Sequence, residues 1–307
     1  MKRENFLKIL ISAPFILSLS SCKSDKNDSF ESLNKKIEKK SNRLSDEELS
    51  FLLRRTTFGF TKEDYLQCKG LELKEILELL FTEYPHPYPP INFEFVPDVF
   101  TNLGDTWVDK PYLKQTFFEQ YRKKSLQAWI LKVIVEEKGV SIREQMTLFW
   151  HNHFGVSDIV EHKYEYIHNE LLRTYAFGNY KELIKKVTID PAMLRFLSGF
   201  ENNRKAPNEN YARELLELFT IGKGALKGEG NYTNYTEGDV RALARALTGW
   251  TDVGWYANYK HIPIGAKFQP LSHDPFPVKL SEELGNKTIM PLFNKRYEEI
   301  IDIIFEK

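Results

Sequence analysis

Helix start and stop signals recur along most of this chain. Ser45 precedes a helical-periodic segment and Glu48 follows three residues later, a pattern typical of a capping box, with Leu44 placed to pack on Leu49. Comparable starts occur at Phe60-Thr61, Ser141, Asn179, Asp190-Pro191 and Tyr235-Thr236. Glycines placed to end helices are Gly59, Gly70, Gly139, Gly155, Gly178, Gly199, Gly222 and Gly249. These signals predict an all-α, multi-helix globular domain.

The predicted helices cover 46–57, 62–69, 72–82, 111–138, 142–154, 158–177, 180–188, 191–198, 209–221, 237–248 and 294–305. Two long segments do not fit a helix. Pro85 to Pro97 contains five prolines among aromatic residues, which favours extended backbone. Trp250 to Leu284 mixes aromatics, Pro and Gly with weak alternation, so a short hairpin is expected within 250–284. Gly222 to Gly228 is interpreted as a flexible connection.

The first 43 residues have a different character from the rest. Lys2, Arg3 and Lys8 precede an eleven-residue apolar run, which is long enough for an export signal and too short to span a bilayer. Leu19-Ser20-Ser21-Cys22 resembles the lipobox of bacterial lipoproteins, which implies cleavage after residue 21 and acylation of Cys22. The alternative is a signal peptide cut elsewhere, with Cys22 incidental. Residues 22–43 are polar and predicted to be a flexible tether, leaving a helical domain at 44–307.

Composition narrows the classes of partner and the sources of stability. The 43 basic residues balance the 43 acidic ones, so no net field attracts nucleic acid, and no nucleic-acid partner is expected. If Cys22 is acylated, Cys68 is the remaining thiol and cannot form an internal disulfide. Packing of apolar and aromatic side chains must therefore stabilise the domain.

Two histidines lie near the end of the predicted 142–154 helix. At 100° per residue His153 shares a face with Met146, Phe149 and Trp150, whereas His151 points about 200° away. Both could bind one metal only if the helix ended before His153. The alternative is a hydrogen-bonded core histidine at 153 and a surface histidine at 151.

The segment Pro207 to Phe219 predicts an amphipathic helix with a charged face. Glu209, Arg213 and Glu217 are spaced for two i,i+4 ion pairs. A solvated face explains this pattern. The alternative is a cleft wall, in which Glu209 or Glu214 acts as a base and Arg213 binds an anion.

A third candidate lies in the long loop after residue 250. His273 and Asp274 are adjacent and flanked by prolines, and an imidazole beside a carboxylate on irregular backbone suits metal binding or proton transfer. A surface histidine is the simpler alternative.

Several of these segments together resemble a known family. Leu53 to Gly59, Arg143 to Phe154, Asp190 to Leu194, Pro207 to Gly222 and Tyr235 to Trp250 are similar, in order, to motifs of the domain-of-unknown-function 1800 family (DUF1800). The resemblance implies an exported, largely helical bacterial protein, often encoded beside an exported sulfatase-like protein, which is then an expected partner. Family members continue beyond the position of Lys307, so the helical domain is expected to lack its C-terminal part. Asn208 and Asn210, within the Pro207 to Gly222 motif, are expected binding residues.

Two functions follow as expectations for a protein anchored by lipid to the bacterial outer membrane or cell surface. The first is a hydrolase of envelope or extracellular polymer, with Glu209, Glu214 and Arg213 as catalytic candidates and His153, His273 and Asp274 as ligands of a divalent metal. The second is a non-catalytic binding or assembly component that uses the loop aromatics Tyr88, Trp107, Trp255 and Tyr259.

Overall fold

The computed structural model describes residues 43–93, 100–111, 116–136, 139–157, 159, 161–254, 264–291 and 293–307. Within these residues the protein is mainly helical, with a few short hairpins. The chain divides into two compact units, of which the first contains Met1–Pro85 and Ile134–Met146 and the second His86–Val133 and Thr147–Lys307. The predicted segments 1–21 and 22–43 fall almost entirely outside the described residues, so the predicted division of the chain stays a prediction.

Residues 43–85 of the first unit contain three short helices whose starts are encoded locally. They are α1 (Asp46–Thr56), α2 (Lys62–Cys68) and α3 (Leu73–Leu80). The Ser45 side chain accepts a hydrogen bond from the Glu48 amide, and the Glu48 carboxylate accepts one from the Ser45 amide. This is the capping box that the sequence predicted. Leu49, Leu53, Ile76 and Leu80 are buried along the apolar faces of these helices.

Eight further helices follow in the described part of the chain, and the first two, α4 and α5, have residues in both units. They are α4 (Thr116–Glu136), α5 (Arg143–Phe154), α6 (His162–Thr174), α7 (Tyr180–Thr188), α8 (Pro191–Phe196), α9 (Asn210–Glu217), α10 (Glu237–Ala246) and α11 (Arg296–Phe305). Asn179, Asp190 and Thr236 cap α7, α8 and α10 through their side chains. These starts confirm the sequence predictions.

The described residues also form three two-stranded antiparallel hairpins. The prediction of an all-α domain is therefore correct for most of the structure but not for these segments. The strands are β1 (Leu226–Gly228) with β2 (Asn231–Tyr232), β3 (Trp250–Val253) with β4 (Gly265–Phe268), and β5 (Val278–Lys279) with β6 (Thr288–Ile289). The β3–β4 pair confirms the hairpin expected within 250–284. The last three residues of the segment predicted as a flexible connection instead form β1, because Gly230 at φ 67° closes a tight turn to β2.

The second unit has a continuous apolar core that fixes the helices around it. Residues from α7, α9, α10 and α11 fill this core, among them Leu183, Leu215, Leu243 and Ile300. Helix α6 packs on α8, and α8 packs in turn on β3. This arrangement brings polar residues of α6, the start of α8 and β3 together.

None of the described helices combines the length and apolar character needed to cross a membrane. The structure describes the Pro85 to Pro97 loop as far as Phe93. Within this part of the loop, Ile91 forms an isolated antiparallel bridge with Thr106. Trp255 and Tyr259 lie outside the described residues.

Candidate functional site

Helix α6 carries a polar stripe into the interior of the second unit. Tyr164 and Glu165 precede His168 by four and three residues, so each lies on the same side of the helix as His168. Tyr164 and His168 are no more than 1% exposed. Because buried polar groups need partners, the contacts of this stripe define what the site can do.

His168 is held by a carboxylate from the start of α8. Its Nδ1 lies 3.0 Å from Oδ2 of Asp190, and both side chains are almost fully buried. An ionised carboxylate only accepts, so Nδ1 carries a proton, and in the neutral ring Nε2 is then the acceptor nitrogen. Nε2 is buried and has no hydrogen-bond partner among the described residues. An imidazole fixed on one nitrogen by an aspartate, with the other nitrogen bare, is the arrangement of a general base.

Asp190 is itself fixed by the backbone of α8. The same Oδ2 atom accepts a bond of 3.0 Å from the Met193 amide, which makes Asp190 the N-cap of this helix. The orientation of the His168 ring is therefore built into the local structure.

His151, in the last turn of α5, lies beside His168 and is not the surface residue that one prediction proposed. The two ring centres are 6.3 Å apart with planes inclined by 60°, and Nδ1 of His151 is buried without a partner in the described part of the chain. Burial is the largest cause that lowers the pKa of His151, and the neighbouring His168 lowers it further, against an opposing effect of Glu165. His151 is therefore neutral near pH 7.

Tyr164, one helical turn before His168, belongs to a second group of buried polar side chains. The Tyr164 hydroxyl donates to Oδ2 of Asp252 in β3 at 2.6 Å, and Arg195 of α8 contacts the same carboxylate at 2.8 Å. Burial and the bond to Asp252 raise the pKa of Tyr164 far above its ordinary value, so the phenol stays a neutral donor. These contacts tie α6, α8 and β3 together around the histidines.

His153 confirms the hydrogen-bonded alternative of the sequence analysis. Its Nε2 lies 2.7 Å from the Tyr180 hydroxyl, and that hydroxyl donates its single proton to the Phe219 carbonyl at 2.5 Å. Nε2 of His153 must therefore carry a proton and donate to Tyr180, which leaves only Nδ1 for a metal. Burial lowers the pKa of His153.

His273 and Asp274 are both buried, so the surface alternative is wrong for this histidine. Nδ1 of His273 donates to the Thr248 carbonyl at 2.7 Å, and its Nε2 has no partner among the described residues. Gly249, at φ 94°, allows this approach, since a Cβ there would meet the His273 Cβ at 3.0 Å. Oδ2 of Asp274 accepts from Nε of Arg245 at 2.7 Å, which makes it part of an ion pair.

The charged face of α9 forms an ion-pair network with α10. Arg213 contacts Glu237 at 2.6 Å, Glu209 at 3.2 Å and Glu217 at 3.6 Å, which confirms both predicted i,i+4 pairs. The side chains of Glu209 and Arg213 are 38% and 33% exposed. The Glu214 carboxylate has no hydrogen bond or ion pair to any described residue, so it is the least constrained of the acidic candidates.

Asn208 and Asn210, which the sequence analysis predicted as binding residues, lie at or just before the start of α9. Oδ1 of Asn208 accepts from the Asn210 amide at 2.9 Å, and the Asn208 amide donates to Oδ1 of Asn202. These bonds order the turn before the helix.

The three groups of candidate residues predicted from the sequence each contact a different set of residues within the protein. His153 is held by Tyr180, the α9 face by Glu237, and the His273 loop by Thr248 and Arg245. Within the described ranges no three His, Cys, Asp or Glu side chains are placed to hold a metal ion. Sequence reasoning missed His168, Tyr164 and Asp252, and it identified Asp190 only as a helix cap. The spacing of Tyr164 and His168, four residues apart in a predicted helix, was the sequence signal that could have indicated a shared polar face.

The fold and this buried centre define a mainly helical protein with an imidazole–carboxylate pair beneath its surface. The family model described as a protein of unknown function (DUF1800) matches residues 51–307, and the chain belongs to that family. This match confirms the resemblance seen in the sequence motifs. No curated protein and no solved structure matches the chain.

Proposed function

We propose that the protein is exported and anchored by lipid in the bacterial envelope. The proposal rests on the basic start, the short apolar run and the small residues before Cys22. One acyl group alone binds a membrane weakly, so stable anchoring requires the multiple acylation typical of lipoproteins.

Metabolic labelling with an alkyne fatty acid tests the anchor. The wild-type protein and Cys68→Ser should incorporate label, whereas Cys22→Ser should not. Cys68 is a matched control because it is the other cysteine of the chain and is fully buried. Label in Cys22→Ser, or an unprocessed protein in the cytosol, would contradict the proposal.

For the folded part we propose a hydrolase in which His168 is the general base. The observation that supports this is the bare, buried Nε2 of His168 on a ring whose Nδ1 is bound to Asp190. His151 stands beside it as a neutral imidazole, and Tyr164 supplies a neutral hydroxyl on the same helix face. The structure thus supports acid–base chemistry by a set of residues other than the metal ligands proposed from sequence.

A panel of chromogenic substrates tests the reaction class. The full-length protein in detergent is assayed on p-nitrophenyl esters, phosphates, sulfates and glycosides. His168→Gln should lower the rate on any cleaved probe by about 100-fold or more, since general bases contribute at least that much. His153→Gln is the control, because glutamine can still donate to Tyr180. Equal rates for wild type and His168→Gln, or no cleaved probe, would reject the proposal.

A binding role is the second candidate, and one residue of the Pro-rich loop favours it. Tyr88 is 69% exposed while its carbonyl accepts from Nε1 of Trp129 at 2.6 Å, so an exposed aromatic ring sits on a fixed backbone. Trp107 is not such a contact, because it is 2% exposed and bonded to Ser125. Co-sedimentation with purified cell-wall sacculi that is lost in Tyr88→Ala and kept in Leu103→Ala would favour this role.

A further inference from the structure

Two unpartnered imidazole nitrogens in one buried place require an explanation. Nδ1 of His151 and Nε2 of His168 are both buried with no described partner, and the rings that carry them are neighbours. A buried nitrogen without a hydrogen bond costs about 1–3 kcal/mol. Such groups in native proteins are usually satisfied by a bound molecule or ion.

When both nitrogens face one shared occupant, a metal ion and a water molecule impose different separations of the ring centres. A zinc ion would lie about 2.0 Å from each nitrogen, or about 3.1 Å from each ring centre, so tetrahedral ligands would place the centres roughly 5.1 Å apart. A water about 2.8 Å from each nitrogen, with roughly 105° between its two bonds, would place them about 6.2 Å apart. The observed separation is 6.3 Å.

A metal would reach this separation only if its two ligands were nearly opposite each other. Such a site needs further protein ligands at its sides, and none of the described residues completes a set of three. A hydrogen-bonded oxygen needs only the two acceptors.

We propose that a water molecule binds between His151 and His168, donating one hydrogen to Nδ1 of His151 and the other to Nε2 of His168. This geometry leaves the lone pairs of the oxygen directed away from both rings. His151 then carries its own proton on Nε2 and is a positioning residue, while His168 is the base.

The bound water is the nucleophile of the hydrolase proposed above, on which this part of the inference rests. One O–H bond breaks and its proton moves to Nε2 of His168, while the oxygen forms a bond to the electrophilic atom of the substrate. The positive charge on His168 is balanced by Asp190. The leaving group takes the electrons of its broken bond and receives the proton from His168, so one water and one substrate give two products.

Diffraction from crystals of the full-length protein, with data collected on both sides of the zinc absorption edge, tests the occupant. We expect an oxygen peak about 2.8 Å from both nitrogens without anomalous signal. A peak at about 2.0–2.1 Å with anomalous signal, or no peak, would overturn the inference. His151→Leu should lose the peak, whereas Asn152→Ala, an exposed neighbour, should keep it.

Chelation separates this inference from the proposed function. Hydrolysis of a probe that EDTA leaves unchanged supports both. Hydrolysis that EDTA abolishes and zinc restores would overturn the water site while the hydrolase stands. An oxygen peak in a protein that cleaves no probe would reject the hydrolase while the water site stands.

Discussion

Asp190 is the residue on which the site and the local fold both depend. One carboxylate oxygen accepts from the Met193 amide and from Nδ1 of His168, each at 3.0 Å. The helix cap therefore fixes the carboxylate, and the carboxylate fixes the ring. A residue with two such roles links folding to the protonation pattern of His168.

Replacing Asp190 should separate the two roles. Asp190→Ala removes the cap and leaves His168 unpaired, so we expect a loss of about 3 kcal/mol in the free energy of unfolding. Asp190→Asn keeps an oxygen for the Met193 amide and should cost about 1 kcal/mol. Urea denaturation followed by circular dichroism measures both. Equal losses for the two variants would show that the cap contributes nothing.

At the scale of elements, β3 is attached to the helices through one buried carboxylate. Oδ2 of Asp252 accepts from Tyr164 at 2.6 Å and from Arg195 at 3.0 Å, which connects the β3–β4 hairpin to α6 and α8. Breaking a buried pair leaves uncompensated polar groups. Asp252→Ala should therefore lower the free energy of unfolding by about 3 kcal/mol. Lys267→Ala, on the exposed side of β4, should change it by less than about 0.5 kcal/mol in the same urea titration.

The ion pairs between α9 and α10 should contribute much less than a single buried arginine. Arg213 is a third exposed, so Arg213→Gln should cost less than about 1 kcal/mol, and the cost should fall with added salt. Arg296 is 1% exposed and donates to the carbonyls of Asp274 and Phe276. Arg296→Gln should cost about 3 kcal/mol with little salt dependence. Thermal unfolding at low and high salt compares the pair, and a reversed order would reject this ranking.

Elements with local signals could be predicted from the sequence, and those with distant partners could not. Ser45, Asn179, Asp190 and Thr236 start helices because each bonds to an amide three residues onward. The β1–β2 hairpin was missed because its pairing outweighs the flexibility suggested by its glycines. Strand pairing depends on register between segments, which local residue preference does not specify.

The candidate site was missed for a related reason. The sequence analysis offered a surface position for His151, whose helix face also carries the polar residues Glu144 and Thr147. Glu144 and Thr147 are in fact 4% and 3% exposed. The bond between His168 and Asp190 joins residues 22 positions apart, so periodicity gives no indication of it. Buried polar contacts depend on tertiary packing, which one sequence does not display.

For the whole molecule, one buried and two partly buried histidines predict a dependence of stability on pH. Burial is the largest cause that lowers the pKa of His151, His153 and His273. Besides burial, the pKa of His151 is lowered by His168 and raised by Glu165. The pKa of His273 is raised by Thr248 and Asp274 and lowered by Arg296. Each histidine therefore binds a proton less readily when the protein is folded than when it is unfolded.

The melting temperature should consequently fall as the pH drops below about 6.5, where the unfolded histidines become protonated and the folded ones do not. Above that pH the histidine contribution is fully present. Each histidine contributes a slope of up to about 1.4 kcal/mol per pH unit, and carboxylates add theirs only below about pH 4.5. Differential scanning calorimetry between pH 8 and 5 should show a shallower fall for His153→Gln and an unchanged one for Asn152→Gln. A melting temperature that is constant or rises over this range would contradict the burial of these neutral imidazoles.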